Sequence, residues 1–202
     1  RRAEYPLKDA WCIALNSPSL YSMFRPLVKY LMKRSLKELD RQPSLVRGEH
    51  IRDVAIVVAF RSDETFAHAQ QYVKEWRKRG MRSVDLYVFF PGKKQQESYS
   101  PNPQDIPFSR KDFNLAGKAT SPDLVKALRT EYDVLIDLSR GRFFACDVVI
   151  AKIKAKWKVG ENDDNRAFLL DLMIDIKQDP DVRKLMHHMD HYINHLNTSN
   201  AA

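Results

Sequence analysis

Residues 131–160 read EYDVLIDLS (Glu131–Ser139), then RGRFFACDVVIAKI (Arg140–Ile153), then KAKWKVG (Lys154–Gly160). The unbroken apolar core Val134-Leu135-Ile136, bounded by Asp133 and Asp137, is the pattern of a strand covered on both faces. An apolar helical run of about a dozen residues and a second short strand follow, which together make a βαβ unit. The fold expected is α/β, a Rossmann-like three-layer sandwich with a mainly parallel sheet.

Working outward, Asp53–Phe60 (DVAIVVAF) is continuous and β-branched, and is expected as a central strand. Ser62 or Asp63 caps a helix that carries Phe66, Ala69, Val73 and Trp76 inward and stops at Gly80. Ser83–Phe90 is a second strand, closed by Pro91-Gly92. The stretch from Lys93 to about Thr120, with Pro101, Pro103 and Pro107, is expected to be irregular. Ser121-Pro122-Asp123 starts a helix ending near Thr130. Phe168–Ile176 is compatible with either a strand at Leu172-Met173-Ile174 or a helical turn, and Asp179-Pro180 opens a C-terminal helix running to about Asn197.

Four segments result: a poorly ordered extension over 1–22, an amphipathic helix and linker over 23–49, a Rossmann-like α/β domain over 50–197, and a tail over 198–202. Met23 is expected near the native start. From Met23 to Leu39 one helix face carries Phe24, Leu27, Val28, Leu31, Met32 and Leu39, and the rest carries Arg25, Lys29, Lys33, Arg34 and Lys37. Such a basic amphipathic helix covers a core with its lysines in water, lies on an anionic surface, or docks on a protein partner.

The chain has 202 residues, 44% hydrophobic and 30% charged, which excludes an intrinsically disordered chain. No apolar run approaches the roughly 20 residues that span a bilayer. Cys12 and Cys146 form neither a disulfide framework nor a metal cluster, and a reducing cytoplasm is expected. The net charge of +8 favours an anionic partner, either nucleic acid or a phosphorylated ligand. None of the six glycines forms a G-x-G-x-x-G or P-loop, and no nucleophile elbow or RNA-binding motif occurs. No cofactor is expected, and the balance leans to a binding protein rather than an enzyme.

Two segments together, Asp53–Phe90 and Tyr132–Gly160 (YDVLIDLSRGRFFACDVVIAKIKAKWKVG), resemble the N-terminal Rossmann-like half of heptosyltransferase-type glycosyltransferases. There a "YDLVIDL" strand leads through a helix to the next strand. The resemblance implies the sheet topology. Those enzymes hold a sugar nucleotide with a second Rossmann-like domain, for which no residues remain here. The whole chain, with FNLAGK at Phe113–Lys118, also resembles a small uncharacterised bacterial α/β family that brings no known activity.

In open α/β sheets ligands lie beyond the carboxyl ends of the strands. Those ends carry Arg61, Ser62 and Asp63 after one strand, and Asp137, Ser139, Arg140 and Arg142 after another, with Lys93, Lys94, Lys111 and Lys118 in the long loop. Arg140 or Arg142 with a helix N-terminus near Gly141 would hold an anion. Asp137 is the candidate for binding a sugar hydroxyl or acting as a base, as in a small transferase or phosphate-ligand enzyme. Against these stand caps (Ser62, Asp63, Ser139) and solvated arginines. His187, His191 and His195 lie at i, i+4 and i+8, but without the intervening glutamate of a zinc-protease helix no metal site is expected.

Overall fold

The computed structural model describes residues 30, 42–92, 99, 102, 104–114, 117–140, 143–176 and 181–195, with the side chain of His195 excepted. The expected extension, the tail and all of the Met23–Leu39 helix except Tyr30 fall outside them. So do Cys12, Lys93, Lys94, Gly141 and Arg142.

Six strands form one sheet: β1 Asp53–Ala59, β2 Ser83–Phe90, β3 Asp105–Ser109, β4 Glu131–Asp137, β5 Lys154–Glu161 and β6 Leu172–Ile174. Their order is β3-β2-β1-β4-β5-β6, and every adjacent pair is parallel. Four helices are described with them: α1 Asp63–Lys78, α2 Pro122–Ala127, α3 Phe144–Lys152 and α4 Val182–His195. This is the doubly wound Rossmann-like order, whose strand sequence reverses between β1 and β4.

The β-branched run of β1 explains its central place, because all seven residues are buried. Val54, Ile56 and Val58 face a cluster completed by Phe66, Val73 and Trp76 of α1 and Leu185, Met189 and Ile193 of α4. Ala55 and Val57 face the opposite cluster, with Leu124 of α2 and Ala145, Val149 and Ile150 of α3. At about 1.5–3 kcal/mol for each large apolar side chain fully buried, these two layers are the main source of stability. The expected sandwich is the observed one.

Helix boundaries follow local chemistry. Ser62 Oγ accepts from Thr65 N at 3.2 Å, and α1 ends before Gly80, whose φ of +83° suits a residue without Cβ. Across the sheet, Lys158 of β5 is fully buried, and its Nζ donates to the Ile150 carbonyl at the end of α3 at 2.5 Å. An ammonium there satisfies terminal carbonyls and the negative pole of the helix.

One expectation is corrected. The stretch from Lys93 to about Thr120 is not irregular throughout: residues 105–109 form β3, with a short 3-10 turn at Arg110–Asp112 behind it. Pro107 pairs with Val88 in the register, and a proline is tolerated because β3 is an edge strand whose outer side needs no donor. Leu172–Ile174 resolves the other ambiguity as a strand, and α3 and α2 are each shorter than expected.

Candidate functional site

The carboxyl edge of β1, β4 and β5 opens into a crevice of about 440 Å³ on the α1/α4 side. Its walls are the first turns of α1 (Glu64, Thr65, His68) and α4 (Val182, Arg183, preceded by Asp181). Its floor is Ala59, Leu138 and Glu161, with Arg61 and Arg140 across its rim. The reversal of strand order puts β1 and β4 side by side while their connections leave in opposite directions, which is why a cleft opens at this point.

The position of α4 depends on a clasp further along the helices. Tyr72 Oη donates to Asp190 at 2.6 Å, Arg79 pairs with the same carboxylate, and its guanidinium lies 4.6 Å from the Trp76 ring centroid. Burial, reinforced by the Asp190 charge, pushes the Tyr72 hydroxyl well above its ordinary pKa, so it stays a donor.

Of the residues expected to form the site, Arg61 and Arg140 line the crevice together. Arg140 donates to Glu161 through Nε (3.1 Å) and Nη2 (3.2 Å), a fork on one carboxylate. Its backbone has φ of +41°, a left-handed conformation that costs a side-chain-bearing residue about 1 kcal/mol or more. Arg61 uses one nitrogen, Nη2, for the carbonyls of Arg140 and Ser139 (3.5 Å to the latter), and its guanidinium sits 5.6 Å from the Phe143 ring centroid. Arg61 has no carboxylate partner among the described residues, so Nε and Nη1 keep their donors for solvent or ligand.

The other candidates are placed differently. Ser62 is the α1 cap, its hydroxyl occupied by Thr65 N and 3.0 Å from Thr65 Oγ1. Lys118 is exposed in a turn closed by its amide on Asn114 Oδ1 (2.9 Å), away from the crevice lining. Ser139 is buried, and its amide donates to Asp137 Oδ1 at 2.9 Å. Arg142 lies outside the described residues.

Asp137 is only 1% exposed and lies beneath the edge, not in the crevice. Its Oδ2 is 2.7 Å from Arg166 Nη2, and Arg166 Nε is 2.7 Å from Asp147 Oδ1. These are charge contacts whose N–H groups are not aligned on the oxygens. Burial works against the Arg166 charge, but the two carboxylates outweigh it and hold the guanidinium well above its ordinary pKa. Burial, reinforced by the same two carboxylates, drives the Cys146 thiol well up, which favours its protonated form. Gly160 of β5 lies close against Leu170 and Asp137. A Cβ there would stand 2.7 Å from Leu170 Cδ1 and 3.2 Å from Asp137 Cβ.

Several crevice residues escape a reading of the sequence: Glu64, His68, Glu161, Asp181 and Arg183. Glu64 lies 3.8 Å from His68, and Asp181 takes the Arg183 side chain at 2.8–3.1 Å. The Arg183 hydrogen bonds, helped by its backbone amide, pull Asp181 down to about 2. The signal for Arg166 is present in Asp147, a lone carboxylate inside the apolar run of α3 that needs a buried cation. Of the C-terminal histidines, His187 and His191 are exposed, and no group of three or more metal-ligating side chains occurs among the described residues.

Fold and crevice together define a doubly wound, Rossmann-like α/β domain with its cleft at the switch point. The chain belongs to DUF6913, a family of unknown function, which it matches over residues 25–196. No curated protein matches it. Among solved structures, a glycosyl transferase family 9 protein from Veillonella parvula is similar, with a TM-score of 0.44 and 12% identity over 79% of this chain. The match covers 45% of that protein, so the chain spans less than half its length. No helix of the described residues is long and apolar enough to cross a membrane.

Proposed function

We propose that the chain is a non-catalytic ligand-binding domain that takes a small phosphorylated ligand in the switch-point crevice, with Arg61 as the anion contact. The observation that carries this reading is the Arg61 guanidinium, fixed by two carbonyls yet without a carboxylate among the described residues. A guanidinium held in place loses little freedom on meeting a phosphate, and the free Nε and Nη1 each offer a charge-assisted N–H donor. Around it the other charges are already engaged: Arg140 with Glu161, Arg183 with Asp181.

The reading as a transferase or phosphate-ligand enzyme is the weaker one. Asp137, its candidate base, is buried in an ion pair with Arg166, where neither substrate nor solvent reaches it. A cytoplasmic location suits a phosphorylated ligand and belongs to the same proposal.

The test is calorimetric titration with inorganic phosphate, a nucleoside monophosphate and a sugar phosphate. At least one should bind, and Arg61→Ala should weaken it by about 1.5–3 kcal/mol, the usual worth of a hydrogen bond to a charged group. Binding unchanged in Arg61→Ala, or no binding of any of the three to the wild-type protein, contradicts the proposal.

A further inference from the structure

We infer that the opposite, amino edge of the sheet is a second binding surface, built to lie along the phosphate backbone of a nucleic acid. In a parallel α/β fold every connecting helix ends at this edge. Here α1 ends in Arg77-Lys78-Arg79, α2 carries Lys126 with Arg129 just beyond, and α3 ends in Lys152. Cations at helix ends answer the helix dipole and alone would mean little. The strand starts have no such need, yet β1 is preceded by Arg52, β2 by Arg82, and β5 begins with Lys154 and Lys156. Three of these four side chains keep a carboxylate contact, but Arg82 and Lys156 still show 76% and 59% of their side chains to solvent.

Between them lie cations whose side chains meet no carboxylate among the described residues: Arg52, Lys78, Lys126 and Arg129, all exposed. The chain enters the same edge, since Ser44 N donates to the Lys156 carbonyl at 3.0 Å.

Charge complementarity selects a polyanion, and two features favour nucleic acid over an anionic membrane. Arginine forks match phosphate oxygens in pairs. A membrane-seated surface needs a cluster of apolar anchors, whereas the exposed large hydrophobics at this edge are Leu45, beside Ser44, and Tyr192, in the last turn of α4, on separate elements. With Tyr192 as the one exposed aromatic at this edge among the described residues, the contact would be mainly to backbone and indifferent to sequence. The inference does not rest on the crevice reading, and either can fail alone.

The test measures anisotropy of a labelled short duplex DNA against the full chain, with salt raised from about 50 to 200 mM. Affinity should fall linearly on a log–log plot. In the variant Lys78→Glu/Lys126→Glu/Arg129→Glu the slope should drop by about 2–3, at roughly 0.9 for each lost phosphate contact. Two single reversals separate this edge from net charge. Lys126→Glu should weaken binding, whereas Lys111→Glu, after β3 at the carboxyl edge, should not. Unchanged affinity and slope in the triple variant, equal effects of the two single reversals, or binding to anionic phosphatidylserine vesicles without binding to DNA overturns the inference. Circular dichroism of the triple variant should match wild type, since its three positions are exposed and meet no carboxylate among the described residues.

Discussion

The carboxyl and amino edges of the sheet are made of the same parts, helix ends and strand ends, and they differ in what fills them. At the carboxyl edge, acids gather in the first turns of α1 (Asp63, Glu64) and α2 (Asp123), at the end of β5 (Glu161) and just after it (Asp163, Asp164). Below them Asp137 and Asp147 close on Arg166 inside the protein. At the amino edge Asp53 and Asp133 are nearly buried and serve the sheet, Glu131 stands exposed beside Lys154, and the remaining exposed charges named there are cations. Both edges follow the alternation of helix poles in a parallel fold. They diverge because the carboxyl edge pairs Arg140, Arg183 and Arg166 with carboxylates around and beneath a cleft, whereas the amino edge stands mostly cations in solvent.

The sharpest way to break this contrast is to empty the enclosed cluster. Arg166→Ala leaves two buried carboxylates without their cation and should cost about 3–5 kcal/mol in urea unfolding, as uncompensated buried charge does. An exposed cation such as Lys78 changed to Ala should cost within about 0.5 kcal/mol. Similar losses in the two variants would erase the distinction between the edges. Next in size, Gly160→Ala should lose about 1–3 kcal/mol by forcing Leu170 and Asp137 apart. A neutral result would mean that the approach of β5 to the ion cluster is looser than its geometry states.

The amino edge can be probed by acid. Arg82 hydrogen bonds hold Asp53 below the ordinary carboxylate value of 3.8; for Asp133, burial pulls upward but Lys156 and the Arg52 and Asp53 amides outweigh it. Depressed carboxylates stabilise the fold fully above that value, and the contribution is lost as pH falls through the lower native pKa. Stability should therefore decline below about pH 4, and Asp133→Asn should flatten that decline while lowering stability at neutral pH. An unaltered acid profile in Asp133→Asn would remove this carboxylate from the account.

These contrasts also show what a linear sequence carries. The runs Val54–Phe60 and Val134–Ile136 are legible because a strand buried on both faces has no alternation to hide. β3 is not, because Pro107 speaks against a strand everywhere except at an edge, and edge position is a property of the finished sheet. Arg61 and Arg140 follow from strand-end position alone, and the crevice does bring them together. Asp137 follows from the same rule yet lies inward, because its partner Arg166 sits 29 residues along the chain, where Asp147 signals the need for a buried cation but not which residue supplies it. Glu161 and Arg183 escape notice for the same reason, their meaning arising only where β5 and α4 converge.

The separation of the two edges is most directly tested by amide chemical-shift mapping of the labelled protein with each probe in turn. Inorganic phosphate should move amides around Arg61, Leu138 and Arg140, and short duplex DNA those around Arg52, Lys78, Arg82 and Arg129. Both probes perturbing a single edge would contradict the account.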